Sequence, residues 1–425
     1  YFTEKMLFYI SQYGFREGHS TELATLEIID RILQNMDSGK IPFAIFIDLS
    51  KAFDTLDHNI LIDKLAYYGL DENALKLMKS YLTNRKQLVE YGGQNSKLLD
   101  IKTGVPQGSV LGPLLFIIYM NDICEASQMF KAILFADDTT LIGENDTFTT
   151  EEQINSELSK INDWMAVNRL SLNAKKTKFM VFHFAQRDVQ VPEIEINNTK
   201  VEHVDTFNFL GLTLHKNMNW AYHINMVANK VSRVLGILSK LRYTLPIKIL
   251  ITVYKSLIQS HLLYCILSWV YNVPKLHKLQ KKAIRIITRS KYNAHTEPLF
   301  KAHNVLTITD LFRLQTLKFF YSYKHGMLPK YLLNLPIQSN NEVHNYETRN
   351  RGRIFVNRTQ TKYAESSIRY FITKVINEMP NIVTEKVFTH SLCGVKHYAK
   401  QFLINSYKDV CTIQNCYVCN NVCHN

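Results

Sequence analysis

A chain of 425 residues that is 46% hydrophobic is long enough to bury two or three cores. No run approaches the ~20 apolar residues of a membrane-spanning helix, no signal peptide is visible, and the seven cysteines do not form a secreted disulfide framework. The net charge of +13 is lopsided: residues 1–220 carry 21 Lys+Arg against 29 Asp+Glu and residues 221–425 carry 29 against 8, which points to a polyanionic partner gripped by the second half.

In chain order, "PFAIFIDLS" is a short apolar strand ending at Asp48. "LDHNILIDKLAYYGL" has helical spacing behind Asp57 as a candidate N-cap, and "ENALKLMKSYL" continues the pattern. "KQLVEY" and "KLLDIKTGV" read as two strands around a Gly-Gly turn. "GPLLFIIYMNDI" is a buried helix with Pro113 in its first turn. "KAILFADDTTLIG" is a hairpin with Asp137 and Asp138 at its tip. The next segment is a helix opened by a capping box, Thr149-x-x-Glu152, and "KFMVFHF" and "FNFLGLTLH" are further strands. From about residue 221 the spacing becomes helical. Ile224, Val227, Val231, Val234, Leu238 and Leu241 share one side there, with Lys230 and Arg233 off it. "KLHKLQKKAIRIITRSK", with Lys281 and Lys282, is a second basic amphipathic segment, and residues near 335–350 read as a linker.

Two adjacent carboxylates in an apolar run are costly unless a cation neutralises them. If the Asp48 strand neighbours the hairpin, three carboxylates converge at one sheet edge. Mg²⁺ takes oxygen ligands, keeps waters and shares the rest of its shell with substrate phosphates. Two such ions can activate a 3′-hydroxyl and stabilise a leaving pyrophosphate, so no Ser, Cys or His nucleophile is required. Read alone, however, an Asp-Asp pair is an ordinary polar turn.

The pair does not stand alone. "FIDLSKAFDTLDH", "GVPQGSVLGPLLF", "FADDTTL", "LSLNAKKTKFMVF" and "FNFLGLTL" occur in this order and at these spacings. Together with "QYGFREGHST" and "HNYETR", they make the chain resemble the reverse transcriptases of non-LTR retrotransposons, especially the jockey-like group, from about residue 12 to 380. The resemblance implies a right-hand polymerase: an α/β palm with an antiparallel sheet and helices on one face, then an all-α thumb and a basic C-terminal region. The expected division is partial fingers at 1–40, palm at 41–220, thumb at 221–335, and a C-terminal region at 336–425 ending in a Cys-rich tail.

By that resemblance Asp48 and Asp137 are metal ligands and Asp138 assists at the primer end or metal, with two Mg²⁺ ions as cofactor. Phe53 is the aromatic wall under the sugar that excludes a 2′-hydroxyl, though most Phe residues simply pack in cores. Gln107 and Gly108, in the "PQGS" turn, approach the nucleotide and a template base. Lys176, in "NAKKT" with Asn173 and Thr177, lies near the triphosphate and protonates the departing pyrophosphate. Phe209, Leu210 and Gly211 resemble a primer grip, and Arg16 of "GFR" touches template or nucleotide. Lys230, Arg233, Lys281 and Lys282 are expected to bind nucleic acid.

The implied partners are an RNA template, a nicked DNA primer and deoxynucleotides, in an intracellular compartment and without a membrane. A chain that begins at Tyr1 reads as a fragment, lacking the family's upstream finger strands and endonuclease. The rival expectation is a truncated, inactive remnant that still binds nucleic acid. The tail places Cys411, Cys416, Cys419, Cys423 and His424 close together. Its crowded spacing differs from paired zinc knuckles, so no Zn²⁺ is expected there.

Overall fold

The computed structural model describes residues 1–145, 150–270, 273–343, 353–356, 358–361 and 363–408. The cysteines and histidine of the tail and the "HNYETR" segment lie outside these residues. The chain forms two compact units, residues 1–207 with 329–331, and residues 208–328 with those from 332 onward.

The first unit is built around the apolar run that stops at Asp48. Helix α1 (Thr21–Asp37), capped by Ser20, leads into strand β1 (Ile41–Ile47), and six of that strand's seven residues are buried. Asp57 caps α2 (His58–Tyr67) by accepting from the Asn59 and Ile60 amides, and α3 (Glu72–Leu82) follows. A hairpin arm comes next. β2 (Arg85–Gln87) pairs with β5 (Leu99–Ile101), and farther out β3 (Glu90–Tyr91) pairs with β4 (Gln94–Asn95) around Gly92 and Gly93. Helix α4 (Leu111–Tyr119) precedes the hairpin of β6 (Lys131–Phe135) and β7 (Asp138–Asn145). Helix α5 (Glu151–Val167) is capped one residue later than the sequence pattern predicts, because Thr150 and Gln153 form the capping box. Strands β8 (Lys178–Val181), β9 (Glu195–Ile196), β10 (Thr199–Lys200) and β11 (Glu202–His203) complete the unit.

The main sheet runs in the order β11-β8-β1-β7-β6. Four of its strands are antiparallel as expected, but β11 lies parallel to β8. The intervening chain, which contains the β9–β10 hairpin, returns the backbone to the same end, as a parallel pair requires. The expectation of helices on one face is also corrected. Phe43, Ile45 and Ile47 point into a core with Leu61 of α2, Phe116 of α4 and Ile154 of α5. Alternation turns Ala44 and Phe46 to the opposite face, yet they are buried as well. Helix α1 lies against β1 and β6, and Phe207 stacks on Phe46 at 3.9 Å. A strand apolar on both faces needs both covered.

A hairpin of β12 (Thr206–Phe209) and β13 (Leu212–His215), within whose first strand the unit boundary falls, stands where the sequence pattern predicts one strand. Leu210 and Gly211 turn the chain at φ 43° and 81°. Positive φ at both central residues is the turn that suits a two-residue hairpin loop, and Leu conceals it in the sequence. Helices α6 (Ala221–Leu241), α7 (Ile247–Tyr254), α8 (Ser260–Leu263), α9 (Ile266–Trp269), α10 (Pro274–Ile287), α11 (Glu297–Ala302) and α12 (Ile308–Lys324) follow. Later helices at Ile368–Glu378 and Leu392–Asn405 pack on α12. Among the described residues no helix is long and apolar enough to cross a membrane.

One buried histidine couples the hairpin to α6. His223 is 2% exposed, its Nδ1 accepts from the Thr213 amide at 3.3 Å, and Trp269 packs edge-on at 5.1 Å. Burial, reinforced by nearby Lys230, pushes its pKa down to about 4. The unfolded chain therefore takes up this proton near pH 6.5 while the folded chain does not. Stability is full above that pH and falls as pH drops toward about 4, by roughly 3 kcal/mol. Thermal melts of His223→Gln should lose this part of the acid sensitivity. Parallel pH curves for wild type and variant would rule it out.

Candidate active site

Strand register brings the acidic residues together. Ile47 pairs with Thr139 across β1 and β7, so the next step along each strand sets Asp48 beside Asp138. Phe135 pairs with Asp138 across the hairpin, leaving Ala136 and Asp137 as its two-residue tip. Ala136 has φ 57° and Asp137 does not share its positive φ, so the first tip residue occupies the left-handed slot that hairpins usually give to Gly. An Ala held there costs of order 1–3 kcal/mol and persists only where the surroundings enforce it.

Residues 11–14 provide that enforcement. The Tyr13 amide donates to the Leu134 carbonyl at 2.7 Å and the Leu134 amide to the Ser11 carbonyl at 2.9 Å, so this segment flanks β6. Gly14 sits so close to the tip that a Cβ there would lie 2.2 Å from the Ala136 nitrogen. The segment is itself anchored to α1, where buried Glu27 accepts from the hydroxyls of Ser11 and Tyr13 and from Arg31.

Asp48 is fixed from the other side. Its amide donates to Thr177 Oγ1 at 3.4 Å and its carbonyl accepts from the Asn173 amide at 2.9 Å. Thr177 is fully buried. The same loop brings Lys176 Nζ to 3.7 Å from Asp48 Oδ2. The pKa of Asp138 is raised by desolvation, then by the charges of Asp137 and Asp48. Mutual repulsion of hard oxygen donors is the environment that a divalent cation relieves. Among the described residues, no three His, Cys, Asp or Glu side chains close into a ready-made metal cage. The donor chemistry suits Mg²⁺, whose shell is completed by water and substrate phosphates.

Phe53 lies flat on Phe116, with ring centres 4.4 Å apart, and meets Phe15 edge-on at 6.3 Å. It is only half-buried, so one part of the ring packs and another is open. Gln107 Nε2 donates to Asp54 Oδ1 at 2.8 Å. Gly108 turns at φ 80°, and a Cβ there would meet nothing within 4 Å.

Residues 3–214 match the family described as reverse transcriptase (RNA-dependent DNA polymerase). The chain is 27% identical to a probable RNA-directed DNA polymerase from transposon BS of Drosophila melanogaster, over 78% of this chain and 38% of that protein. It is 26% identical to the RNA-directed DNA polymerase from mobile element jockey of the same species, over 68% of this chain and 33% of that protein. The chain belongs to the jockey-like non-LTR reverse transcriptases. It spans 38% and 33% of the length of these two relatives. An apo telomerase from Candida Tropicalis aligns at TM-score 0.41 and 16% identity, over 71% of this chain and 51% of that one, a likeness too distant to bear on the fold.

The remaining residues that family resemblance singles out are dispersed. In this chain Arg16 donates to the Tyr9 and Gln12 carbonyls at 2.8 and 3.1 Å and lies over the Phe8 ring. Its guanidinium thus secures the segment that braces the hairpin. Phe209, Leu210 and Gly211 belong to the second unit, where Tyr264 donates its hydroxyl to the Leu210 carbonyl at 2.6 Å. Lys230 and Arg233 are placed on α6, and Lys281 and Lys282 on α10, which packs against it; Lys230, Arg233 and Lys282 are exposed, and Lys281 is half-covered. Sequence patterns do not single out Gly14, Asp54 and Tyr264. Their partners are far away along the chain and leave no local signal.

Proposed function

We propose that this chain is the polymerase segment of a jockey-like element, adding deoxynucleotides to a primer 3′-end on an RNA template. The observation that carries this reading is the β1–β7 register, which sets Asp48 beside Asp138 at the tip holding Asp137. Residues 41–220 then act as palm with residual fingers, with 1–40 as partial fingers, 221–335 as thumb and 336–425 as a basic C-terminal region. By family resemblance, the primer is nicked target DNA.

Asp48 and Asp137 would hold two Mg²⁺ ions, with Asp138 alongside. When bound, such ions activate the 3′-hydroxyl and neutralise charge on the leaving pyrophosphate. The chain's own groups do the positioning. Thr177 and Asn173 fix the Asp48 backbone, and Lys176 can supply a proton to pyrophosphate from its place beside Asp48. Gln107, Phe209, Leu210 and Gly211 orient template and primer, while Lys230, Arg233, Lys281 and Lys282 neutralise backbone phosphates without reading sequence.

The test is templated extension of a DNA primer on RNA with a divalent cation. Product that needs both the template and the cation supports the reading, and none from any template overturns it. Phe53→Val refines it. The Phe116 stack holds the Phe53 ring as a flat wall, and a shorter side chain there should raise ribonucleotide incorporation relative to deoxynucleotide. Equal discrimination in both proteins would return Phe53 to simple core packing.

A further inference from the structure

The hairpin arm and the turn at residues 106–108 enclose a cleft of about 760 Å³ whose lining includes none of the three aspartates. Its walls carry four cations, Lys51, Arg85, Lys86 and Lys102, against the carboxylates Asp54 and Asp100. Both carboxylates are engaged. Asp54 holds Gln107, and Asp100 faces Lys86 across the β2–β5 pair at 3.7 Å. Lys51, Arg85 and Lys102 have no acidic partner within salt-bridge range among the described residues. Four cations against two carboxylates leave the cleft with two net positive charges, and a concave wall focuses that potential inward, where a convex surface would disperse it.

The cleft is also preorganised. The Gly104 amide donates to the Leu56 carbonyl at 2.8 Å, the Val105 amide to the Phe53 carbonyl at 2.9 Å, and Thr103 Oγ1 to the Asp54 carbonyl at 3.0 Å. A Cβ on Gly104 would lie 2.7 Å from the Asp54 carbonyl oxygen, so the two segments meet backbone to backbone. Lys51 is held at φ 51°, a left-handed conformation that is costly for a side-chain-bearing residue. No acidic partner for its ammonium offsets that cost among the described residues.

We propose that this cleft binds the phosphodiester backbone of the single-stranded template as it approaches Gln107. The phosphates of an incoming nucleotide share the same chemistry, but the polymerase reading gives that position to Lys176, which lies beside Asp48, whereas Gln107 lines the cleft. The assignment rests on the polymerase reading for the word template; the phosphate site itself does not.

The test uses the full chain and its triple variant Lys51→Asn, Arg85→Gln, Lys102→Gln, with Asn chosen because it tolerates positive φ. Binding of a primer–template with a 5′ RNA overhang is followed through a salt series and compared with a flush duplex. On the overhang substrate the log–log salt slope should fall by about 2, at ~0.7 for each phosphate no longer neutralised, with the flush duplex and the nucleotide KM unchanged. Arg85→Lys, which keeps the charge, should keep the slope. A raised nucleotide KM with unchanged overhang binding would assign the cations to triphosphate and overturn the proposal. No change in either would overturn the site altogether. Should the triple variant melt early, Arg85→Gln alone carries the same test with about one third of the effect. A protein that never extends primers yet shows the slope change would sink the polymerase reading and leave the phosphate cleft standing.

Discussion

Replacing Asp137 with Asn is expected to lower primer extension by about a hundredfold or more while primer–template binding stays constant or tightens. Asn keeps the size and turn preference of Asp, so the hairpin closed by Phe135 and Asp138 should keep its shape. What disappears is one anionic oxygen donor at the tip. Charge stabilisation by a bound metal is worth several kcal/mol, and ~2.7 kcal/mol already corresponds to a hundredfold in rate. Binding should follow the opposite trend, because the variant removes a negative charge from a surface that must accept phosphates, and it relieves the repulsion that adds to desolvation in raising the Asp138 pKa. Single-turnover extension and fluorescence anisotropy measure the two quantities separately. Wild-type extension rates in the variant would remove the acidic tip from the mechanism.

The elements that carry the acidic residues are legible in the sequence because their chemistry is local. An apolar run stopping at Asp48, Asp57 before a helical pattern and an acidic pair between two apolar runs each correspond to an observed element. The convergence of Asp48 with the pair requires the strand order, which the family motifs suggest and the β1–β7 register displays. The β9–β10 hairpin escapes the sequence pattern although Asn197 and Asn198 both take positive φ, a conformation that Asn favours. Helix α1 escapes it because Glu27 and Asp30 sit on its buried side and break the apolar stripe. Glu27 is tolerated there because Arg31, Ser11 and Tyr13 all bond to it.

The other residues that sequence patterns miss share one cause. Gln107 with Asp54, Gly14 with Ala136 and Tyr264 with Leu210 are contacts between distant segments, each made by one atom pair or one close approach. Periodicity reports which face of an element is buried and is silent on what it meets. Motif reading names "GFR" and "FADD" separately, and only the fold shows that the glycine of one supports the alanine of the other.

That close approach makes Gly14→Ala the sharpest test of how the tip is held. Gly14 is not at positive φ, so its backbone suits Ala and the only obstacle is space. The added Cβ would lie 2.2 Å from the Ala136 nitrogen and 3.0 Å from its Cα, so one backbone must move by about an ångström. The bracing segment cannot easily yield, since it is bonded to Leu134 on one side and Glu27 on the other, with Arg16 securing the carbonyls behind it. The hairpin tip is the freer partner, and it carries Asp137. A misplacement near ~1 Å costs on the order of a hundredfold in rate. The expected result is a kcat lowered by about that factor, with nucleotide KM and primer–template affinity little changed, and weaker Mn²⁺ binding by electron paramagnetic resonance in the absence of nucleotide. General loss of stability would not produce that split. Gly236→Ala, on a face of α6 where a Cβ meets nothing within 4 Å, serves as the control and should behave as wild type. If Gly14→Ala folds normally and keeps both its kcat and its Mn²⁺ affinity, the left-handed Ala136 turn is maintained by the hairpin itself, and residues 11–14 merely pack beside it.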